Sequence, residues 1–455
     1  MKNVLKRNIR ILLIVFCVMF TGLTVYLGYM VGVYGERWFV TPYNPRLNRM
    51  QANVQPGDIL DRTGKQLYYS SGGKRTYMSG SGQRRAAAHI LGDSDGMTYG
   101  AQTMFAKYLY GYDQGSVTRI VDLVSGNPRK GSDVMLTIDA RLCETAYKAL
   151  DGNRGAVVVM NYKTGEILAS TSSPSFDPLR MEEFLEGGGE SELVNRAFSG
   201  LYPPGSTFKI VSASALIHNG MADYKATCTG STQIGGKTIT CTGKHGDLDL
   251  KGALAQSCNV YFAQAATELG IDAIEREAAK FLFNTELLFD DVIMGQSVFN
   301  TALNDADNAW AAIGQHQDLV TPLHACMIAA SIANNGVMME PKLLYSVSGR
   351  NMLAPRAAAA VAADTQALKD MMIQAVKDGT GSAAAIKGVT VGGKTGTAEI
   401  EDKDGRAAHA WFIGFIDDDE HLLAIAVVME RAGSGGKHAA PAARRVLRKA
   451  IELGY

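Results

Sequence analysis

Ser206 and Lys209 stand three residues apart in Tyr202-Pro203-Pro204-Gly205-Ser206-Thr207-Phe208-Lys209, immediately before the apolar run 210–217. Pro-Pro-Gly cannot continue a helix, whereas the run after it has no breaker before Asn219-Gly220. Ser206 is therefore expected at or just inside a helix N-terminus, where free backbone N–H groups gather. Lys209, one turn on, shares its face. A hydroxyl beside an amine on an apolar helix is the pairing a serine nucleophile and a lysine base require, and burial lowers the lysine pKa toward a proton-accepting value.

Two further short signals follow in chain order, Ser257-Cys258-Asn259 and Lys394-Thr395-Gly396-Thr397. Ser257 and Asn259 fall between two helical stretches, where short polar side chains can face a cleft. Lys394 to Thr397 sits in a strand reading 389–400, with Gly396 leaving room for a substrate backbone along an edge. Such signals recur by chance. Ser71-Gly72-Gly73-Lys74 and Ser434-Gly435-Gly436-Lys437 also fit S-x-x-K, Ser125-Gly126-Asn127 fits S-x-N, and Lys163-Thr164-Gly165 fits K-T-G. The first two read as Gly-Gly loops unable to hold a lysine on a serine, and the last reads as a hairpin turn.

The elements that must position these groups have a recognisable texture. An entry strand is expected at 133–138, then a helix over 140–150 capped by Asp139. A hairpin of 155–160 and 166–171 follows, then a loose loop over 176–192 and the Ser206 helix. Residues 248–380 read as mostly helical. Strands return at 389–400, 409–416 and 421–429 before a closing helix at 440–453. Strands at both ends of a helical middle imply an α+β fold, with one antiparallel sheet built from chain-distant pieces.

The chain has 455 residues, 46% apolar, with 45 basic and 45 acidic side chains. That balance gives no sign of a nucleic-acid partner. Lys2, Lys6, Arg7 and Arg10 precede 11–33, an uncharged stretch long enough to span a bilayer. The basic flank predicts a cytoplasmic N-terminus and an extracytoplasmic remainder, anchored by an uncleaved single span. Residues 36–131 read as a spacer or docking module containing a strand-turn-strand at 56–67. Of the six cysteines, Cys17 lies in the span, and Cys143, Cys258 and Cys326 read as small buried apolar residues. Cys228 and Cys241 bracket a Gly/Thr-rich strand-turn-strand and are either a disulfide or two free thiols. Their spacing excludes a zinc site, with no second ligand pair beside them, and neither a metal nor a cofactor is expected elsewhere.

The ordered S-x-x-K, S-x-N and K-T-G set resembles that of penicillin-binding proteins and serine β-lactamases. Asn195-Arg196-Ala197, Leu136-Thr137-Ile138-Asp139, the extension through Glu399 and Trp411-Phe412-Ile413-Gly414 narrow the resemblance to class B, monofunctional penicillin-binding proteins. It covers 132–455 and extends through the anchor and the Asp58-to-Leu67 stretch, similar to the family's pedestal pattern although Pro56 replaces an arginine. The resemblance implies a serine D,D-transpeptidase/β-lactamase-like fold, divided into a tip and anchor (1–35), a pedestal (36–131) and a transpeptidase domain (132–455). It implies D,D-transpeptidation of peptidoglycan stem peptides, acylation by β-lactams, and a membrane glycosyltransferase of the SEDS type as partner. Ser206 is then the nucleophile, Lys209 its base and Ser257 the proton relay. Asn259 would hold the substrate amide, with Lys394, Thr395, Gly396 and Thr397 on its terminal carboxylate side and the N–H groups of Ser206 and Thr397 around the oxyanion.

No glutamate between Asn259 and Lys394 is followed four residues later by asparagine, so the class A β-lactamase deacylating element is missing. Residues 36–131 are too few for a glycosyltransferase. A D,D-carboxypeptidase, or a non-catalytic sensor or scaffold, remains the alternative. Trp411 and Phe412 are expected in the core, His409 as a structural histidine, Arg431 to His438 as a solvated loop, and Glu399 as an ion-pair or turn residue.

Overall fold

The computed structural model describes residues 2–39, 54–93, 97–113, 124–125, 129–181, 190–301, 304–361, 365–402 and 405–455. Gly126 and Asn127 of the S-x-N copy and much of the loop expected after Phe176 lie outside them. The chain opens with α1 (Lys2–Phe39), whose stretch Lys6–Met30 has a mean hydropathy of 2.4 and buries nothing against the rest of the protein. An apolar helix facing only solvent is stable where a bilayer replaces water.

Three short strands, β1 (Ile59–Leu60), β2 (Gln66–Ser71) and β3 (Lys74–Tyr77), precede α2 (Ser81–Leu91). The Gly72-Gly73 turn joins β2 to β3, which disposes of the first S-x-x-K copy. Two short helical turns follow, Ala101–Met104 and Ala106–Leu109, separated by a break at Phe105. After β4 (Val134–Leu136) comes α3 (Ala140–Ala149), where Asp139 accepts from the Arg141 N–H at 2.8 Å as the expected cap. The hairpin of β5 (Gly155–Asn161) and β6 (Ile167–Ser173) turns on Lys163 to Gly165.

Next, α4 (Lys209–His218) is followed by two small strand pairs made from β7 (Ala226–Cys228), β8 (Ser231–Ile234), β9 (Lys237–Thr240) and β10 (Gly246–Leu248). They lead into α5 (Leu250–Gln256), α6 (Asn259–Leu269) and α7 (Ile271–Lys280), and later α8 (Pro322–Ala333), buried along its whole length. The middle is less helical than its sequence suggests. Residues 337–360 fold as strands, among them β11 (Leu344–Val347) and β12 (Arg350–Asn351), before α9 (Gln366–Lys377). Tyr345 and Val347 of β11, an aromatic and a β-branched residue, and the Gly349 turn outweigh the alanines nearby. The chain closes through β13 (Val391–Asp402), β14 (Gly405–Ile416), β15 (Leu423–Met429) and α10 (Ala439–Glu452).

Two sheets organise these elements. The larger-domain sheet is antiparallel in the order β13-β14-β15-β5-β6, so the first and last thirds of the catalytic segment meet and β13 is an edge. Every residue of β6 and β15 is buried, and α8 and α10 both pack on this sheet, so both its faces are covered. The second sheet runs β12-β11-β4-β1-β2-β3 and crosses position 131: β4 pairs in parallel with β1 and antiparallel with β11. The N-terminal module is thus sewn to the rest through backbone hydrogen bonds.

A buried ion pair reinforces that seam. Arg84 on α2 donates through Nε and Nη2 to the two Asp177 carboxylate oxygens at 2.6 and 2.7 Å, and through Nη1 to the Met78 carbonyl at 2.8 Å. The guanidinium holds the Asp177 carboxyl below the usual carboxylate range, more than offsetting the desolvation that opposes it. Arg84→Ala should cost about 3–5 kcal/mol because it strands a buried carboxylate. Arg84→Met combined with Asp177→Leu should cost far less, and equilibrium denaturation of the two variants distinguishes these outcomes.

Candidate active site

The nucleophile candidate sits on a turn held from several sides. Residues Gly205–Thr207 form one 3-10 turn that runs directly into α4, so Ser206 lies just before the α-helix rather than inside it. The cause is local: Gly205 takes φ +54 and donates its N–H to the Gly314 carbonyl at 2.7 Å, which bends the entry. Trp411, fully buried on β14, donates Nε1–H to the Pro203 carbonyl at 3.0 Å. Tyr202 pairs with Val320 through both backbone groups and donates its hydroxyl to Glu430 at 2.9 Å. Glu430 also accepts from Arg196 at 2.8 Å. Arg196 and Glu430 thus carry the loop that carries Ser206.

Lys209, on the first turn of α4, is fully buried. Its Nζ donates to the Ser257 carbonyl at 2.7 Å and the Asn259 Oδ1 at 2.6 Å, and lies 3.4 Å from the Ser257 hydroxyl. Burial pulls its pKa down to about 7. Lys394, from the edge strand β13, is equally buried and donates to the Ser257 Oγ at 2.8 Å and the Thr395 carbonyl at 2.8 Å. Two amines from chain-distant elements therefore flank one hydroxyl.

The influence between the two lysines falls on Lys394. Burial and then the neighbouring Lys209 charge depress the Lys394 pKa well below its ordinary value, so the like-charge penalty falls on Lys394. Among the described residues neither amine has a carboxylate ion-pair partner.

Ser257 is the hinge of the arrangement. It caps α5 with φ 58 and ψ 40, a left-handed conformation that costs a non-glycine residue of order 1 kcal/mol. Strain of this kind is held in place only when the neighbours fix it. Asn259 opens α6, and besides receiving the Lys209 amine it donates Nδ2–H to the Thr240 carbonyl at 2.9 Å. One N–H and one lone pair of its carboxamide remain for another partner.

On β13, Thr397 is exposed, while Thr395 is buried and shares a 2.6 Å hydroxyl contact with Thr380. Thr380 was not anticipated; it lies in a Gly-Thr-Gly loop that carries no chemical signature alone. Gly396 is explained differently from the sequence reading. A Cβ there would lie 3.0 Å from the Pro204 carbonyl and the Thr207 methyl and 2.9 Å from the Trp411 Cβ. The missing side chain lets the Ser206 turn dock on the strand; it does not clear a path for a substrate backbone.

The remaining expectations resolve simply. Trp411 and Phe412 are core residues. His409 accepts from the Arg431 N–H at 3.1 Å and meets the Tyr202 ring edge-on, a structural role. The loop 431–438 is less solvated than expected, because Gly435 is pressed against the Trp411 and Gly396 carbonyls. Glu399 is exposed.

The cysteines need a correction. Cys143 and Cys326 are buried as expected, and all six cysteines are unbonded. Cys228 and Cys241, however, do not stand alone: the fold brings His245 and Cys258 to them, with all four ligand atoms within 4.8 Å of one another. The two further side chains come from the turn between β9 and β10 and from inside the S-x-N motif.

The penicillin binding protein transpeptidase domain model matches residues 155–448. The chain belongs to the penicillin-binding protein transpeptidase family. It is 30% identical over 420 residues to the peptidoglycan D,D-transpeptidase PbpA of Mycolicibacterium smegmatis, covering 83% of this chain and 80% of that one. Penicillin-binding protein 3 of Bacillus subtilis is 32% identical over 341 residues, 68% of this chain and 49% of its own length. Among solved structures, the ceftriaxone acyl-enzyme complex of M. tuberculosis penicillin-binding protein A superposes with a TM-score of 0.79 at 27% identity, over 90% of this chain and 99% of that one. The α+β transpeptidase fold expected from the sequence is the fold of this penicillin-binding protein.

Its lysine pair yields a direct measurement. Lysine-selective 13C NMR should find Lys209 titrating near pH 7. Because the unfolded lysine titrates near ~10.4, the native state binds fewer protons between those values, and unfolding free energy should rise with pH across that window. Lys209→Met should make the rise shallower, leaving the part that buried Lys394 contributes; an unchanged slope would contradict the depressed pKa.

Proposed function

We propose that this penicillin-binding protein is a peptidoglycan D,D-transpeptidase whose acyl-enzyme forms on Ser206. Ser206 Oγ attacks the carbonyl between the two terminal D-Ala residues of a stem peptide, and Lys209, in its neutral form, takes the hydroxyl proton. Ser257, in contact with both amines, relays a proton to the departing D-Ala nitrogen as the peptide bond breaks. The backbone N–H groups of Ser206 and Thr397 stabilise the oxyanion. Asn259 holds the Lys209 amine and offers its remaining hydrogen-bonding capacity to the substrate amide. Lys394, Thr395, Gly396 and Thr397 form the side facing the terminal carboxylate. An amine from a neighbouring stem peptide then attacks the ester, releasing Ser206 and leaving the cross-link.

The observation that supports these roles best is the path from Lys209 through the Ser257 hydroxyl to Lys394, at 3.4 and 2.8 Å. β-Lactams, which present a strained amide to the same groups, are expected to acylate Ser206, as the acyl-enzyme complexes of the M. tuberculosis neighbour illustrate for that protein. The domain division reads as anchor (1–35), pedestal (36–131) and transpeptidase (132–455), with β4 as the seam. α1 serves as the single membrane anchor, its basic end in the cytoplasm and the catalytic segment outside. The pedestal is suited to docking a SEDS-type glycosyltransferase, and stimulation of such a polymerase should survive Ser206→Ala; its loss would count against a scaffold role.

Intact-mass spectrometry after penicillin treatment should find a single slowly hydrolysing adduct on the wild type and none on Ser206→Ala. An adduct persisting in that variant would overturn the assignment. The acylation rate should climb roughly tenfold per pH unit below about 7 and level off above it, as the Lys209 amine becomes the free base. Adding an amine acceptor separates the transpeptidase from a D,D-carboxypeptidase: cross-linked product is expected, and hydrolysis alone would favour the latter.

A further inference from the structure

The free side of the edge strand β13 is closed by the rest of the protein at all but one place. Paired with β14 from Val391 to Asp402, the strand turns the backbone groups of alternate residues away from the sheet. Gln315 shows which residues these are. With its carboxamide turned to satisfy both groups, Gln315 Nε2 donates to the Glu399 carbonyl at 3.3 Å and Oε1 accepts from the Glu399 N–H at 3.2 Å. Glu399 therefore faces outward, and by alternation so do Thr397 and Thr395. The Thr395 carbonyl is taken by the Lys394 amine at 2.8 Å. Among the described residues, no hydrogen bond from outside the sheet reaches the Thr397 N–H or carbonyl, so Thr397 is an opening between two filled positions.

Gln315 is held for this task by its own backbone. Its N–H goes to the Trp310 carbonyl at 3.0 Å, at the end of the helix Asp305–Ala311, and the Gly314 carbonyl before it accepts from the Gly205 N–H at 2.7 Å. The side chain is half-buried, whereas His316 and Gln317 beyond it are exposed. A carboxamide presents a donor and an acceptor on one planar group, the same pattern a neighbouring strand residue would offer. Glu399 is exposed, so water could serve its backbone groups nearly as well. What the carboxamide changes is which other chain can pair there.

We propose that Gln315 is a specificity-determining residue that ends the acyl-donor subsite at Thr397. The inference rests on the reading of Ser206 as nucleophile with the Thr397 N–H at the oxyanion. A donor whose reacting carbonyl accepts from the Thr397 N–H can give its own N–H to the Thr397 carbonyl, which completes a single ladder pair. An α-linked peptide continuing as a strand would bring its next outward-facing residue against Glu399, where Gln315 already sits. The donor chain must therefore leave β13 beyond the amide of the penultimate D-Ala. Donors that turn or branch there lose nothing, and donors that run on as a regular strand gain nothing.

The experiment uses the full-length protein in detergent and two peptidyl boronic acids, whose boron takes the place of the reacting carbonyl and adds a serine oxygen reversibly. Acetyl-D-boroAla reaches only Thr397, whereas the second residue of acetyl-Ala-Ala-D-boroAla would fall opposite Glu399. Competition with acylation by a fluorescent penicillin gives both affinities, and their ratio is the readout, so any general effect of a substitution on the Ser206 turn cancels. The wild type should bind the two within about twofold of each other. In Gln315→Ala the longer inhibitor should gain about fivefold or more over the shorter, as two new backbone hydrogen bonds would provide. Gln315→Asn, whose shorter carboxamide cannot reach Glu399, should repeat that gain. A wild type that already prefers the longer inhibitor by that margin, or a ratio unchanged in both variants, overturns the role of Gln315. If neither inhibitor competes while the penicillin adduct on Ser206 still forms, this inference falls alone. A wild type without that adduct removes the acyl-enzyme reading and the inference with it.

Discussion

Everything at this site depends on placing two amines around the Ser257 hydroxyl with, among the described residues, no carboxylate ion-paired to either. A buried ammonium without an ion partner costs several kcal/mol even after relaxation. Two such ammoniums less than a salt-bridge length from one hydroxyl add mutual repulsion. The arrangement therefore cannot hold both charges, and one amine must stay neutral at ordinary pH. Lys209 has the stronger set of carbonyl acceptors, Ser257 O and Asn259 Oδ1, yet burial still brings it to about 7. Burial itself holds Lys209 down, and the Lys209 charge in turn adds to the burial that depresses Lys394.

The sheet exists to make that encounter possible. Lys394 is far from Lys209 in sequence, and the two meet because β13 is the last strand added to a sheet that begins with β5 and β6. As an edge, β13 leaves one side unpaired, and the Ser206 turn occupies part of it. The outward-facing Thr397 remains exposed beside that turn. The covered faces of β6 and β15 make the strand rigid from behind, while the Arg84–Asp177 pair and β4 hold the N-terminal module to the same body.

How much of this was written in the sequence varies with the physics involved. Pro203-Pro204-Gly205 announced the turn, the 155–171 hairpin and the last three strands were legible from periodicity, and Asp139 was legible as a cap. The strands of 337–360 were not, because alanine-rich segments carry weak propensity and their pairing partners are remote. Cys258 was hidden differently. Inside Ser257-Cys258-Asn259 it read as filler between two functional residues, and only the fold shows that Cys241, His245 and Cys258 share a space. Spacing rules recognise ligand pairs within one loop; they are blind to ligands delivered by separate elements.

The placement of Ser206 itself rests on backbone meeting backbone. A Cβ on Gly314 would lie 2.0 Å from the Gly205 carbonyl, and one on Gly205 would lie 3.0 Å from the Thr397 carbonyl and the Ala398 Cα. A Cβ on Gly435 would come within 2.3 Å of the Gly396 carbonyl from the other side. Four segments are thereby stacked at distances that tolerate no side chain between them: the Gly314 loop, the Ser206 turn, the edge strand and the Gly435 loop. Side-chain contacts can relax by changing rotamer, but peptide planes at this spacing cannot. That stiffness suits the nucleophile role proposed for Ser206, since a nucleophile displaced by about 1 Å can forfeit a hundredfold in rate. The same stack fixes the Ser206 and Thr397 backbones relative to each other before any substrate arrives, so a donor pair formed from them would need no rearrangement when charge develops.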